Sequence, residues 1–284
     1  MTVHRFQHEA MVTYFEVSIA EDDYNYAKQV ATAAFRQLDR LESELSRFVE
    51  SSDISRANRL PRGASTLVGE DAFDCLLIAA DISIATQRAF DPGFASERPP
   101  ELATDLPPFT LDPATQTVTS LANRLRLDLG AVGKGFALDR MAATLREWGI
   151  SNACLNSGGS SLLTISPPES PESGWSAGLG EGRGYREINL HNASLSGSGI
   201  AVKGAHVINP RSGETALRAT RVWALAPGAA QADALSTAFF VMNEAEIAAL
   251  CAAHPSIGAA LVAPGEELIV HGALRPLLEA AASS

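Results

Sequence analysis

Thiol chemistry has little to work with in this chain. Cys75, Cys154 and Cys251 are its only cysteines, odd in number and far apart. That excludes a disulfide framework and the paired spacings of a zinc site, and leaves structural thiols in a reducing compartment as the reading. Positive charge is also short: 22 Lys and Arg against 33 Asp and Glu give a net charge of -11. A nucleic-acid scaffold is excluded, because neutralising phosphates needs a basic surface. An anionic ligand would need local help from a metal ion or from backbone N–H groups. No apolar run approaches the length of a membrane span. The opening residues, MTVHRFQHEA, carry no apolar targeting segment and no lipid-accepting cysteine, so a soluble, cytoplasmic protein is expected. What is present is ordinary globular composition, 46% hydrophobic and 19% charged over 284 residues, enough for a substantial core in one large domain or two small ones.

The organising stretch is Leu125 to Met141, LRLDLGAVGKGFALDRM. Alternation, then three glycines in six positions, then apolar residues at helical spacing read as strand, tight loop and helix. Gly130, Gly133 and Gly135 are expected to take conformations closed to other residues and to let a ligand approach the backbone. The N–H groups of the following helix would favour a phosphate. The pattern is neither a Walker loop nor GxGxxG, so a phosphate cradle and a plain glycine-rich connection with a solvated Lys134 both stay open. Asp128 can accept a hydrogen bond from a ring or sugar, or face a cation.

Along the chain, Met11 to Ile19 alternates as a strand. Tyr24 to Phe48 has one apolar face at helical spacing and runs into a polar cluster, Ser51 to Asn58. Asp71 to Thr86 reads as a second helix, ending in Ala89-Phe90-Asp91-Pro92, a turn. A proline-rich loop follows to Pro113, then a short strand at Thr117 to Leu121. Phe136 to Trp148 is a helix ended by Gly149. Ala153 to Asn156 is a strand running into Ser157-Gly158-Gly159-Ser160. Pro167 to Gly174 reads as a loop, with weak strands at Ile188 to Leu190 and Ala193 to Leu195. Thr220 to Ala226 should be a core strand, and a helix begins near Gln231. Asp233 and Thr237 lie four apart on that helix, on one face. They read either as an oxygen-rich corner suited to magnesium or as an N-cap with a back-bonded threonine. A helix from Glu244 to Ala253 and strands near Ala259 to Val262 and Leu268 to Val270 complete the core.

These blocks, in this order, resemble the FAD:protein FMN transferase family, the ApbE-like flavin transferases. The likeness rests on Met11-Val12-Thr13, on Leu45-Ser46-Arg47-Phe48 with Asp53-Ile54-Ser55 and Asn58, and on Ala89-Phe90-Asp91. It continues through Asp128 to Gly135, Asn156 to Gly159, Ser196-Gly197, His206 to Gly213 and Ala232 to Thr237. The resemblance implies a single α+β domain of mixed sheets with packed helices, in two lobes around a central flavin and metal cleft. It implies magnesium held by the Ala131 carbonyl and the side chains of Asp233 and Thr237. FAD would lie against Met11, Phe48, Ala89, Phe90, Asp91, Asp128, Lys134, His206, Val207 and Ile208. The implied reaction moves the FMN half of FAD onto a threonine hydroxyl of a target flavoprotein, with AMP leaving; FAD hydrolysis or non-catalytic FAD binding are the alternatives. His206 is the candidate base, its ordinary pKa lying near working pH, and Asp233 the second catalytic candidate. The chain departs from the family where Phe48 replaces a tyrosine, Ser160 an aspartate of Gly-Gly-Asp, and Asn209 an aspartate before Pro210. Ser198-Gly199-Ile200 stands where a tyrosine often follows Ser-Gly.

Overall fold

The computed structural model describes residues 1–102, 106–166, 174–180, 185–199, 208–216, 219–262 and 268–282. Thirteen strands and seven helices among them form an α+β fold. Strands β1 (Val3–Ala10) and β2 (Thr13–Ala20) make a hairpin in register Ala10↔Thr13. Its two-residue turn, Met11 and Val12, has φ of 51° and 59°, the left-handed pair whose twist matches that of the flanking strands. Sequence reading began the strand at Met11 and missed β1, whose alternation is of half-buried and exposed residues rather than of apolar and polar ones.

Eight strands form the main sheet in the order β1, β2, β6 (Ala153–Ser157), β7 (Ser161–Ile165), β10 (Ser194–Gly199), β11 (Arg221–Ala226), β12 (Gly258–Val262) and β13 (Leu268–Gly272). Every neighbouring pair is antiparallel. Two small sheets stand apart, one of β3 (Ser65–Leu67), β5 (Thr117–Ser120) and β4 (Phe109–Asp112), the other of β8 (Trp175–Leu179) and β9 (Arg186–Leu190). Strand β11 shows why its sequence is almost continuously apolar. Val222, Ala224 and Ala226 enter the main core, while Trp223 and Leu225 enter a second one, with Leu195, Ala260 and Leu274. A strand buried on both faces has no polar side to alternate with.

Helices α1 (Tyr24–Leu45), α4 (Gly133–Glu147) and α5 (Ala229–Val241) cover one face of the main sheet. Helix α1 stops at Leu45, not Phe48. The Ser46 backbone turns extended, and Phe48 is 77% exposed, so it leaves the apolar face that its spacing suggested. The short helix α2 (Asp53–Ala57) follows, capped by Ser52. Helix α3 (Glu70–Ala85) is tied to its neighbours by the buried Asp71, which pairs with Arg40 of α1 at 2.7 Å and Arg140 of α4 at 2.6 Å. Gly149 ends α4 with φ of 75° and the hydrogen-bond pair Gly149 N to Arg146 O and Ile150 N to Leu145 O, the left-handed termination anticipated for it. Helices α6 (Glu244–Ala253) and α7 (Leu274–Ala282) pack at the far end, against β12 and β13. Among the described residues no helix is long and apolar enough to cross a membrane.

Candidate functional site

The approach to the glycine stretch is extended chain, not a strand. Residues Leu125 to Leu129 pair with no neighbouring strand, because side chains and loops take their backbone groups instead. Asn58 clamps Leu127 from both sides, its Nδ2 donating to Leu127 O at 3.0 Å and its Oδ1 accepting from Leu127 N at 2.6 Å. Ser96 Oγ accepts from Arg126 N, and Pro92 O from Asp128 N. An alternating pattern marks an extended backbone here, and the polar cluster after α1 supplies its partner.

The glycines do other work than expected. None of Gly130, Gly133 and Gly135 has positive φ, and the last two lie in the first turn of α4. Gly135 is needed for close packing: a Cβ there would stand 2.1 Å from Ala229 O and 2.8 Å from Ala230 N. Helix α5 therefore starts directly on the α4 backbone. Its cap comes from across the contact, where Asp139 accepts from Ala229 N at 2.7 Å and from Ala230 N at 2.9 Å. Burial pushes the Asp139 carboxyl up despite those two bonds. Sequence reading did not single out Asp139. Its signal was the four-residue spacing from Gly135, which places both on the face that meets α5.

Asp233 is the fifth residue of α5, whose N-cap is Gly228, so the N-cap reading of this aspartate is set aside. The residue is 5% exposed. Oδ2 accepts from Lys134 Nζ at 3.3 Å and Gly135 N at 3.2 Å, and Oδ1 from Ser196 Oγ at 3.4 Å. All three are longer than the 2.7–2.9 Å usual for charge-assisted bonds. Lys134 Nζ also donates to Gly130 O at 3.1 Å, which ties Asp233 to the loop that carries Ala131. Ala131 and Thr237 are both half-buried, Thr237 one turn after Asp233 on the same helical face. Behind Ser196, the Ser161 hydroxyl lies 2.9 Å away, so hydroxyl groups back the carboxylate on the sheet side.

A second cluster forms the rim. Arg47 pairs with Asp128 Oδ2 at 3.0 Å and lies over the Phe48 ring, 4.2 Å from its centroid. Asp128 Oδ1 accepts from Gly130 N at 2.9 Å. Arg47 is thus a shared prop for two residues singled out for flavin contact. Met11 is half-buried in its turn, its N–H donating to Glu42 Oε1 at 2.8 Å.

The Ala89 to Asp91 turn is buried. The Asp91 carboxylate receives Arg88 and Gly93 N, with Arg98 at 3.6 Å. Gln87 and Arg88 hold φ of 49° and 63°, uncommon for such side chains. Arg211 secures them: its Nε donates to Gln87 O at 2.9 Å, its Nη2 to Thr86 O at 2.6 Å, and its Nη1 to Glu246 at 2.7 Å. Arg211 thereby joins this turn to the segment of Ile208, which is 39% exposed and bridges Thr215. His206 and Val207 lie outside the described residues. The structure brings together Lys134, Asp233 and the Gly130 loop, and links Asp128 to the Asp91 turn through Pro92. Among the described residues no three of His, Cys, Asp and Glu cluster as metal ligands; the hard oxygens that the described residues bring to this place are the Asp233 carboxylate and the neighbouring hydroxyl and carbonyl groups.

Comparison with known proteins bears on this arrangement. A FAD:protein FMN transferase of Treponema pallidum is 25% identical over 175 residues, and the match spans 55% of this chain and 48% of that protein. The chain thus matches about half the length of its curated relative. Among solved structures, the apo flavinyl transferase ApbE of Pseudomonas stutzeri superposes with a TM-score of 0.82 at 21% identity, covering 98% of this chain and 97% of the other. The flavin transferase ApbE of Vibrio cholerae gives 0.81 at 18%, covering 98% and 100%. The ApbE protein of Thermotoga maritima gives 0.78 at 22%, covering 98% and 99%. At these identities the structures show a shared fold. The profile of the ApbE family matches residues 11–261, and on that match the chain belongs to the ApbE family.

Proposed function

We propose that this protein is a magnesium-dependent FAD:protein FMN transferase, moving the FMN moiety of FAD onto a threonine hydroxyl of a target flavoprotein with release of AMP. The observation that carries the reading is the contact of Lys134 with the buried Asp233 carboxylate at the glycine stretch. The family and the name of the Treponema pallidum relative supply the reaction class.

The residues fit a magnesium ion. Asp233 is surrounded by donors at long range rather than saturated, and carboxylate, hydroxyl and carbonyl oxygens are the hard ligands this cation prefers. Asp233, Thr237 and the Ala131 carbonyl would hold it. When bound, magnesium neutralises charge on the pyrophosphate and polarises phosphorus for in-line attack. The chain's own groups do the rest. Lys134 supplies a second positive charge beside the pyrophosphate. Phe48 offers an exposed stacking face, and Asp128 a carboxylate to hydrogen-bond the flavin. Met11, the Ala89 to Asp91 turn and the segment of Val207 and Ile208 complete the binding surface, while His206 takes the proton of the incoming hydroxyl.

The test is incubation with FAD and magnesium, with and without a flavoprotein acceptor, following AMP and the acceptor's mass. Transfer gives AMP only with acceptor present, together with an acceptor heavier by one FMN group. AMP without acceptor would reassign the site to FAD hydrolysis, and no AMP in either arm would leave a flavin-binding protein. Asp233→Ala should lose the magnesium-dependent activity; unchanged magnesium dependence rejects Asp233 as a ligand.

A further inference from the structure

Lys134 stands on the carboxylate that the proposed cation needs. Its ammonium lies 3.3 Å from Asp233 Oδ2 and 3.1 Å from Gly130 O. The lysine side chain is 24% exposed and that of Asp233 7%. A carboxylate this enclosed has few directions from which a ligand can arrive. Gly135 N approaches Oδ2 and Ser196 Oγ approaches Oδ1, both fixed by the packing of α4 and of β10 against α5. Lys134 is the one mobile donor of the three, a flexible stem ending in a compact charge.

Resting on the transferase reading, we infer that Lys134 and the divalent cation are alternative partners of Asp233: metal binding displaces the ammonium, which then becomes available to a phosphate oxygen of FAD. The charge arithmetic favours exchange over sharing. A divalent cation and an ammonium on one carboxylate within a few ångströms repel each other strongly in a site of low dielectric. A pyrophosphate entering beside them offers the displaced ammonium a new anionic partner within reach of its stem. Lys134 thus acts as a positioning residue that couples occupancy of the metal site to capture of the phosphate. It also keeps Asp233 from standing buried without a counter-charge, which would be costly.

The experiment needs neither FAD nor turnover. Mn2+ binding is measured by isothermal titration for the wild-type protein and for Lys134→Met, Lys134→Gln and Asp233→Asn, each first checked for native circular dichroism. Removing a charge-assisted hydrogen bond that competes with the metal should tighten Mn2+ binding about tenfold in both lysine variants. Equal or weaker binding in both, or no binding by either, overturns the proposal. Asp233→Asn separates this failure from that of the functional reading. If it binds Mn2+ as the wild type does, the ligand assignment falls; if it abolishes binding while the lysine variants change nothing, only the exchange falls. The wild-type protein gives an independent readout, because its lysines are only Lys28, Lys134 and Lys203. Saturating Mn2+ should raise acylation of Lys134 by an amine-reactive ester severalfold relative to the exposed Lys28, read by peptide mass spectrometry. Labelling that stays constant or falls overturns the exchange whatever the variants do.

Discussion

One added methyl group tests the contact on which the site is built. In Gly135→Ala the new Cβ would lie 2.1 Å from Ala229 O, 2.5 Å from Ala229 C and 2.8 Å from Ala230 N. All three are backbone atoms, so no rotamer change relieves the clash, and α4 and α5 must part by about 1 Å to restore a normal contact. Overpacking of that kind costs about 1–3 kcal/mol. The same displacement stretches the bonds from Ala229 N and Ala230 N to Asp139, a cap worth roughly 1–2 kcal/mol. Alanine also improves helix propensity by about 1 kcal/mol, so the net expectation is a loss of about 1–4 kcal/mol. Gly133→Ala is the control, since its Cβ would meet nothing closer than Leu129 Cβ at 3.8 Å, and it should be neutral or stabilising by up to about 1 kcal/mol. Urea unfolding followed by far-UV circular dichroism measures both. A Gly135→Ala protein as stable as wild type, or as stable as the Gly133→Ala control, would refute the close-contact argument and return Gly135 to a purely ligand-facing role.

Three further outcomes are expected. Asn58→Ala strips both hydrogen bonds from the Leu127 backbone, leaving a buried N–H and C=O unpaired, so it should lose about 2–4 kcal/mol in the same unfolding assay; a loss under about 1 kcal/mol would mean that the segment is held by something else. His206→Asn should cut FMN transfer sharply while FAD still binds, as judged by flavin fluorescence; near-normal turnover removes His206 from the mechanism. The thiols should be inert in the folded protein. Burial pushes Cys154 up to about 12 and Cys251 up to about 11, and raises Cys75 further still. At pH 7.5 even Cys251 would be ionised in only about one molecule in 3,000, against roughly one in ten for an ordinary thiol. Iodoacetamide should therefore modify the native protein far more slowly than the urea-unfolded one, and rapid native labelling would show that one of these cysteines is not packed as described.

Elements whose burial follows a simple period were legible in the sequence. Helix α3 shows it, and strand β11 was legible instead as a short, almost continuously apolar run; the ends of both fall within a residue or two of expectation. Strand β1 was not legible, because it forms the edge of the sheet and buries only the inward half of side chains such as His4 and His8, which carry no hydrophobic signal. Phe48 was misplaced for the opposite reason. An aromatic at the next helical position counts as core by spacing alone, although the chain had already turned at Ser46. Period measures which residues could share a face; it does not register where capping and turn hydrogen bonds end the helix.

The glycine stretch shows why the site was only half legible. Glycine count identified it as a place where something comes close, but a sequence does not say what. At Gly135 the close neighbour is the start of α5, brought in by the packing of two helices that lie some ninety residues apart in the chain. That approach gives the stretch its chemistry. It sets Gly135 N against Asp233 and puts Lys134 on the same carboxylate, which neither helix could do alone. The four-residue spacing of Asp233 and Thr237 was readable in isolation, yet by itself it favoured a capped helix end. What decides against that cap is Asp139, which already accepts from the first two amides of α5 and leaves Asp233 a turn further in, where its carboxylate meets the first turn of α4 instead. A carboxylate so buried, with the mobile ammonium of Lys134 beside it, is positioned to exchange partners, and that exchange is where the fold and the proposed chemistry meet.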